Sequence, residues 1–191
     1  MLLPTVDVHL LRLLDRVTHI IADEVLNCAS LARTYPQVGN LHPALRREGH
    51  VQSLLFDGLR ASGYFTLAEA NYFVPLSASR QIDLAVWLPD VLVWFYLEVK
   101  PCSPYYGVQP VVWDAQKLID DKPTDLRDRL RGVLAYGFRD RVKERDGFPQ
   151  KYKGIITELA PLGFREVGIQ CRSLEGTEYT YVQTGLWVTE S

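Results

Sequence analysis

Three charged residues stand where β-strand periodicity asks for apolar ones. Asp83 lies within Gln81-Ile82-Asp83-Leu84-Ala85-Val86-Trp87, and Glu98 and Lys100 close the run Val93-Trp94-Phe95-Tyr96-Leu97-Glu98-Val99-Lys100. Strand side chains alternate between faces, so Glu98 and Lys100 share one face while Leu97 and Val99 take the other. Leu88-Pro89-Asp90 reads as a turn, and antiparallel pairing about a centre near residue 90 sets position 83 opposite 97 or 98. Two carboxylates and an ammonium are therefore expected side by side. Burying two like charges together is unfavourable without a cation, because each carboxylate loses hydration and repels the other. Lys100 compensates one of them. A divalent ion compensates both, and hard oxygen donors suit Mg²⁺ or Mn²⁺. The ordinary alternative is a solvated Asp at a strand edge and a solvated Glu–Lys pair at a strand end. What sets this Glu-x-Lys apart is its place at the end of an apolar strand, one turn after a strand that carries an Asp.

The elements that must position these groups follow from the hydrophobic period. Leu10, Leu13, Leu14, Val17, Ile20, Ile21 and Val25 recur at steps of three and four, which predicts a helix over about 6–32. Tyr35-Pro36 and Gly39-Asn40 break it. A second helix is expected after Pro43, with Val51, Leu54, Leu55 and Leu59 inward and Gly63 as its C-cap. Strands are expected over 70–74, 81–87 and 91–99, the last so continuously apolar that both its faces must be covered. A helix over 111–121, a strand over 132–138, a short helix over 148–159 and strands over 167–171 and 179–188 complete the chain. Strand, helix, strand in that order favours a parallel pair. The order ααβββαβ(α)ββ predicts an α/β sandwich around a mixed sheet, in one domain. Within it, 1–42 is read as a helical extension, 44–138 as the motif-bearing core and 139–191 as a C-terminal helix and strands.

With this order of elements the chain resembles the PD-(D/E)XK nuclease superfamily, the restriction-endonuclease-like fold. There a helix carries an acid, and the following strands bring an Asp and then a Glu/Asp-x-Lys. The matching residues are Glu48 in Arg46-Arg47-Glu48-Gly49-His50, Asp83, Glu98-Val99-Lys100, and the helical Asp114-Ala115-Gln116-Lys117-Leu118 as a fourth motif. The likeness covers about 44–138. Ile82 stands where the family name has Pro, a position that varies in such proteins.

The resemblance implies metal-dependent phosphodiester cleavage. Asp83, Glu98 and the Val99 carbonyl would hold Mg²⁺ or Mn²⁺, with Glu48 contacting it through water or holding a second ion. Lys100 would position or help deprotonate the attacking water and stabilise developing charge. Gln116 or Lys117 would orient the nucleophile or touch a phosphate; adjacent helical residues cannot both face inward, and the sequence leaves the choice open. Blander roles exist for several of these. Glu48 and Asp114 suit any helix N-terminus, Lys117 a solvated surface, and His50 an exposed position. Asp120-Asp121 reads as a helix end. Trp87, Trp94, Tyr96 and Trp113 read as packing residues, whereas Tyr105-Tyr106-Gly107, in the loop after Lys100, is placed to border a groove. Cys102 follows the site closely, but with no His partner evident it is not expected to act as a nucleophile.

Composition sets the partners. The chain has 191 residues, 47% of them hydrophobic, and a formal net charge of −2. That average hides a local excess: residues 127–153 hold nine basic side chains and four acidic ones. Arg127, Arg129, Arg131, Arg139, Arg141, Lys143 and Arg145 are the candidate phosphate contacts. Three widely spaced cysteines give neither a disulfide framework nor zinc spacing. The longest uncharged stretch, 101–113, is too short and polar to span a membrane, and the N-terminus lacks a basic signal-peptide region. A cytoplasmic nuclease acting on DNA in preference to RNA, with a homodimer if both strands of a duplex are cut, is the expectation. A catalytically inactive binding or assembly module of the same fold, and a hydrolase of small phosphorylated molecules, are the alternatives.

Overall fold

The computed structural model describes residues 4–35, 48–71, 81–102, 107–120, 130–141 and 147–189. Helix α1 (Pro4–Thr34) and helix α2 (Glu48–Ala61) precede three strands, β1 (Phe65–Asn71), β2 (Gln81–Leu88) and β3 (Val93–Pro101). Helix α3 (Gln109–Asp120), β4 (Leu130–Asp140), helix α4 (Gly147–Leu159), β5 (Arg165–Ser173) and β6 (Tyr179–Thr189) follow. The architecture is α/β, with one six-stranded mixed sheet in the order β1-β2-β3-β4-β6-β5. β1, β2 and β3 form an antiparallel meander, while β4 lies parallel to β3. The C-terminal strands extend the same sheet, β6 pairing antiparallel with β4.

Alternation along the strands divides the core into two layers, with Ile82 at the start of β2 as an exception that packs opposite to Leu84 and Val86. Leu84, Val86, Leu97, Val99, Leu134, Leu186 and Val188 face α1 and α2, whose Leu10, Leu14, Val17, Ile21, Val51, Leu55 and Leu59 are buried against them. Ile82, Ala85, Tyr96, Val133, Ala135 and Trp187 face α3 and α4, which contribute Val111, Ala115, Leu118, Ile155 and Leu159. β3 is buried from Phe95 to Val99, as its unbroken apolar run requires. The helix read as an extension lies across the sheet's C-terminal half: the Thr18 hydroxyl donates to the Leu14 carbonyl and shares a hydrogen bond with the Thr184 hydroxyl on β6. Gly63, with φ of 88°, ends α2 by donating its N–H to the Arg60 carbonyl.

The strand expected over 70–74 begins earlier, at Phe65. Its alternation is weak because it is an edge strand with exposed positions at Phe65 and Ala68, so the aromatic run at 72–74 outweighed it in the sequence. Residues 72–74 lie outside the described residues, as do Tyr105 and Tyr106. Among the described residues, no helix is long and apolar enough to cross a membrane.

Candidate active site

The β2–β3 register pairs Leu84 with Leu97 and Ala85 with Tyr96. The ladder ends at Leu84, and just beyond it the Asp83 and Glu98 side chains are hydrogen-bonded to each other, the proximity expected from the turn. Asp83 Oδ2 accepts a hydrogen bond from the Val99 N–H at 2.7 Å. Glu98 is 1% exposed. Burial, and next the Asp83 charge, push its carboxyl up to about 8, against the lowering effect of Lys117.

Lys100 lies on the same face as Glu98, at the C-terminal end of β3. Its Nζ is 2.5 Å from Glu48 Oε1 and 2.7 Å from Asp114 Oδ2. Glu48 is the first residue of α2, so that helix opens at the strand end and its carboxylate reaches across to the lysine. Asp114 comes from α3 on the other side. One turn further along α3, Lys117 Nζ donates to Glu98 Oε1 at 2.5 Å. Two ion pairs thus join β3 to α3, acid to base and base to acid.

The choice between Gln116 and Lys117 is made by the helix face. Gln116 is exposed and donates to Asp120 Oδ1 at 2.8 Å, away from the cluster. Val111, Ala115 and Leu118 anchor the helix so that Lys117, and not Gln116, is the one of the two that bonds Glu98 on β3. Asp114, which the sequence permitted as a plain helix-start acid, belongs to the site. The signal was its spacing of three from Lys117, which puts both on one flank. His50 points elsewhere: its Nε2 lies 3.5 Å from Glu24 Oε1 on α1. Burial pushes the Cys102 thiol up to about 12, which disfavours the thiolate. Tyr136, buried on β4 beside Pro101, is likewise raised, first by burial and then by the Glu48 charge. No sequence pattern had singled it out.

The basic segment divides. Arg131 is fully buried and its Nη1 bonds the Leu118 carbonyl, so it ties β4 to α3 and cannot meet a phosphate. It was expected on the surface because arginine seldom enters a sheet's interior. Arg139 lies over the Tyr181 ring at 5.9 Å, and the exposed Arg141 donates to the Tyr179 carbonyl at 3.3 Å. Both sit at the site's end of the sheet. Arg139 is four residues past Ala135, the partner of Lys100, or about 13 Å along the strand. Lys151 on α4 is near enough for its charge to act on Cys102. Arg127, Arg129, Lys143 and Arg145 lie outside the described residues.

Glu48, Asp83, Glu98 and Asp114 gather, among the described residues, around two ammoniums, Lys100 and Lys117. Among the described residues, no three His, Cys, Asp or Glu side chains form a ready metal cage. The donor set still fits a hard divalent ion, because Mg²⁺ keeps most of its waters and needs one or two carboxylates. Asp83 and Glu98, adjacent on paired strands, supply those. No protein-family model matches the chain, and neither a curated protein nor a solved structure matches it.

Proposed function

We propose that the protein is a divalent-metal-dependent nuclease of the restriction-endonuclease-like type, acting on DNA in preference to RNA. The observation that carries this reading is the charge of the cluster at the end of β3. Four acidic side chains and two ammoniums converge there among the described residues, and the most buried acid, Glu98, is pushed up to about 8 by burial and then by the Asp83 charge. One divalent ion among these acids would favour the ionised form of Glu98. The antiparallel meander followed by α3 and a parallel β4 is the order of elements such a nuclease would need.

In this reading Asp83, Glu98 and the Val99 carbonyl hold the ion, with Glu48 at its margin. When bound, the ion would supply an acidified water and neutralise charge on the scissile phosphate. The chain's own residues do the rest. Lys100, kept in place by acids from two helices, presents an ammonium where negative charge develops on the phosphate. Asp114 orients that ammonium and Lys117 orients Glu98. Arg139, Arg141 and Lys151 supply cationic charge at the same end of the sheet for the backbone beyond the cut.

The crossed ion pairs also favour a second reading, an inactive module in which Lys117 takes the cation's place permanently. Incubation with plasmid, single-stranded DNA and RNA, in Mg²⁺, Mn²⁺ or chelator, separates the two. Cleavage that needs the cation and disappears in Lys100→Ala and Asp83→Ala is the expected result. Cleavage in chelator, or cleavage surviving both substitutions, would overturn the proposal.

A further inference from the structure

Lys100 is not the only donor that holds Glu48. Gln52, one turn further along α2, donates from Nε2 to Glu48 Oε1 at 3.1 Å, the same oxygen that lies 2.5 Å from Lys100 Nζ. Two donors thus share one oxygen of the carboxylate. Among the described residues nothing bonds the other, Oε2, and the Glu48 side chain is 35% exposed where that of Lys100 is 14% exposed. The backbone beneath this arrangement is fixed. Val51 and Leu55, on the same helix, are completely buried in the layer between α2 and the sheet. The direction of the Gln52 side chain is therefore set by core packing, and its amide meets an acid of the charged cluster.

A glutamine and an acid four residues apart often bond on a helix, and such a bond by itself supports only the helix. α3 offers the comparison: Gln116 donates to Asp120 Oδ1 at 2.8 Å on an exposed side, away from the cluster. The difference at Gln52 lies in the acceptor, a carboxylate already engaged by Lys100. An amide is an uncharged donor. It orients the carboxylate and favours its ionised form without cancelling the negative charge, as a lysine or arginine at the same position would. We infer that Gln52 is a positioning residue that acts through Glu48. By tying Oε1 beside Lys100 it keeps the ammonium in place and leaves Oε2 free for a hydrated divalent ion. Such partners of a metal-contacting carboxylate tune affinity from outside the ligand set. The inference rests on the cation site of the nuclease reading and deepens it.

The test measures Mn²⁺ binding to chelator-treated protein, through the electron paramagnetic resonance signal of the free ion, with thermal unfolding in chelator alongside. Wild type, Gln52→Met and Gln116→Met are compared. Methionine keeps the length of the side chain and removes the donor, and the second variant removes the equivalent helix bond outside the cluster. The expected result is a loss of Mn²⁺ affinity of about tenfold in Gln52→Met and less than about twofold in Gln116→Met. Both variants should melt within about 2 °C of wild type. In the cleavage assay Gln52→Met should need more Mg²⁺ for half-maximal rate and recover most of that rate at saturating ion. Unchanged affinity in Gln52→Met, or equal losses in the two variants, would overturn the positioning role. So would a loss accompanied by melting several degrees lower, which would make the bond a support of α2 alone. Failure of the wild type to bind Mn²⁺, or binding left intact in a folded Asp83→Ala variant, would instead remove the cation site on which the inference stands.

Discussion

Replacing Glu98 by Gln should make the protein more stable and, in the nuclease reading, inactive. Glu98 ionises with an ordinary value of 4.5 in the unfolded chain and about 8 in the native state. Between those values the native state keeps a proton that the unfolded state has lost. Stability therefore falls as pH rises from about 4.5 to about 8 and is level above that. At ~1.4 kcal/mol per pK unit, the ionised carboxylate costs the native state about 5 kcal/mol above pH 8 and about 3 kcal/mol at pH 7. Glu98 is 1% exposed, so solvent relieves little of this. An amide cannot ionise, and against that gain stands the weaker hydrogen bond to Lys117, about 1 kcal/mol. The difference between variant and wild type should grow from near zero at pH 5 to about 4 kcal/mol at pH 9. Urea unfolding in chelator at a series of pH values measures it, provided the slopes of the two proteins agree. Mg²⁺ should then stabilise the wild type and leave Glu98→Gln unmoved, because binding to the native state alone raises stability by mass action. A difference that stays flat with pH, or a variant less stable throughout, would refute the argument that Glu98 is buried without sufficient countercharge. Equal stabilisation of both by Mg²⁺ would place the ion elsewhere.

Lys117→Ala should lower cleavage by about a hundredfold and also lower the melting temperature, since it leaves the buried Glu98 without its ammonium, whereas Gln116→Ala should change neither; steady-state rates and calorimetry check the pair. Gly132→Ala should destabilise by about 1–3 kcal/mol, because a Cβ there would sit 2.8 Å from the Phe95 ring and from the Trp187 carbonyl, and denaturant titration reads that. A double Arg139→Ala, Arg141→Ala variant should flatten the dependence of log binding constant on log salt by about two; substituting Arg131 should instead unfold or weaken the protein, because its guanidinium bonds the Leu118 carbonyl inside the core.

The alternation of β2 and β3 was readable because period two and a single short turn leave little freedom. Those two facts brought Asp83 near Glu98 and sent Leu97 and Val99 to the opposite layer. The helix stripes and the order of elements were equally legible, since burial of one face imposes a repeat that composition displays directly. Glu48 needed more: only the α2 start lying at the end of β3 brings its carboxylate to Lys100. Edge strand β1 was misplaced because an edge needs little burial and so writes a faint pattern.

What remained beyond the sequence were choices of direction among side chains that share a helix. Gln116 and Lys117 differ by one position, and chemistry permits either; the packing of Val111, Ala115 and Leu118 against the sheet decides which one points at Glu98. The same packing turns Asp114 inward and leaves Trp113 in water. Arg131 is the plainest case, a charge counted with the surface until β4 was found to bury it beneath α3. Local periodicity determines which face of an element is apolar. Only the docking of one element on another determines what its remaining faces meet, because that contact is made by residues distant in the chain.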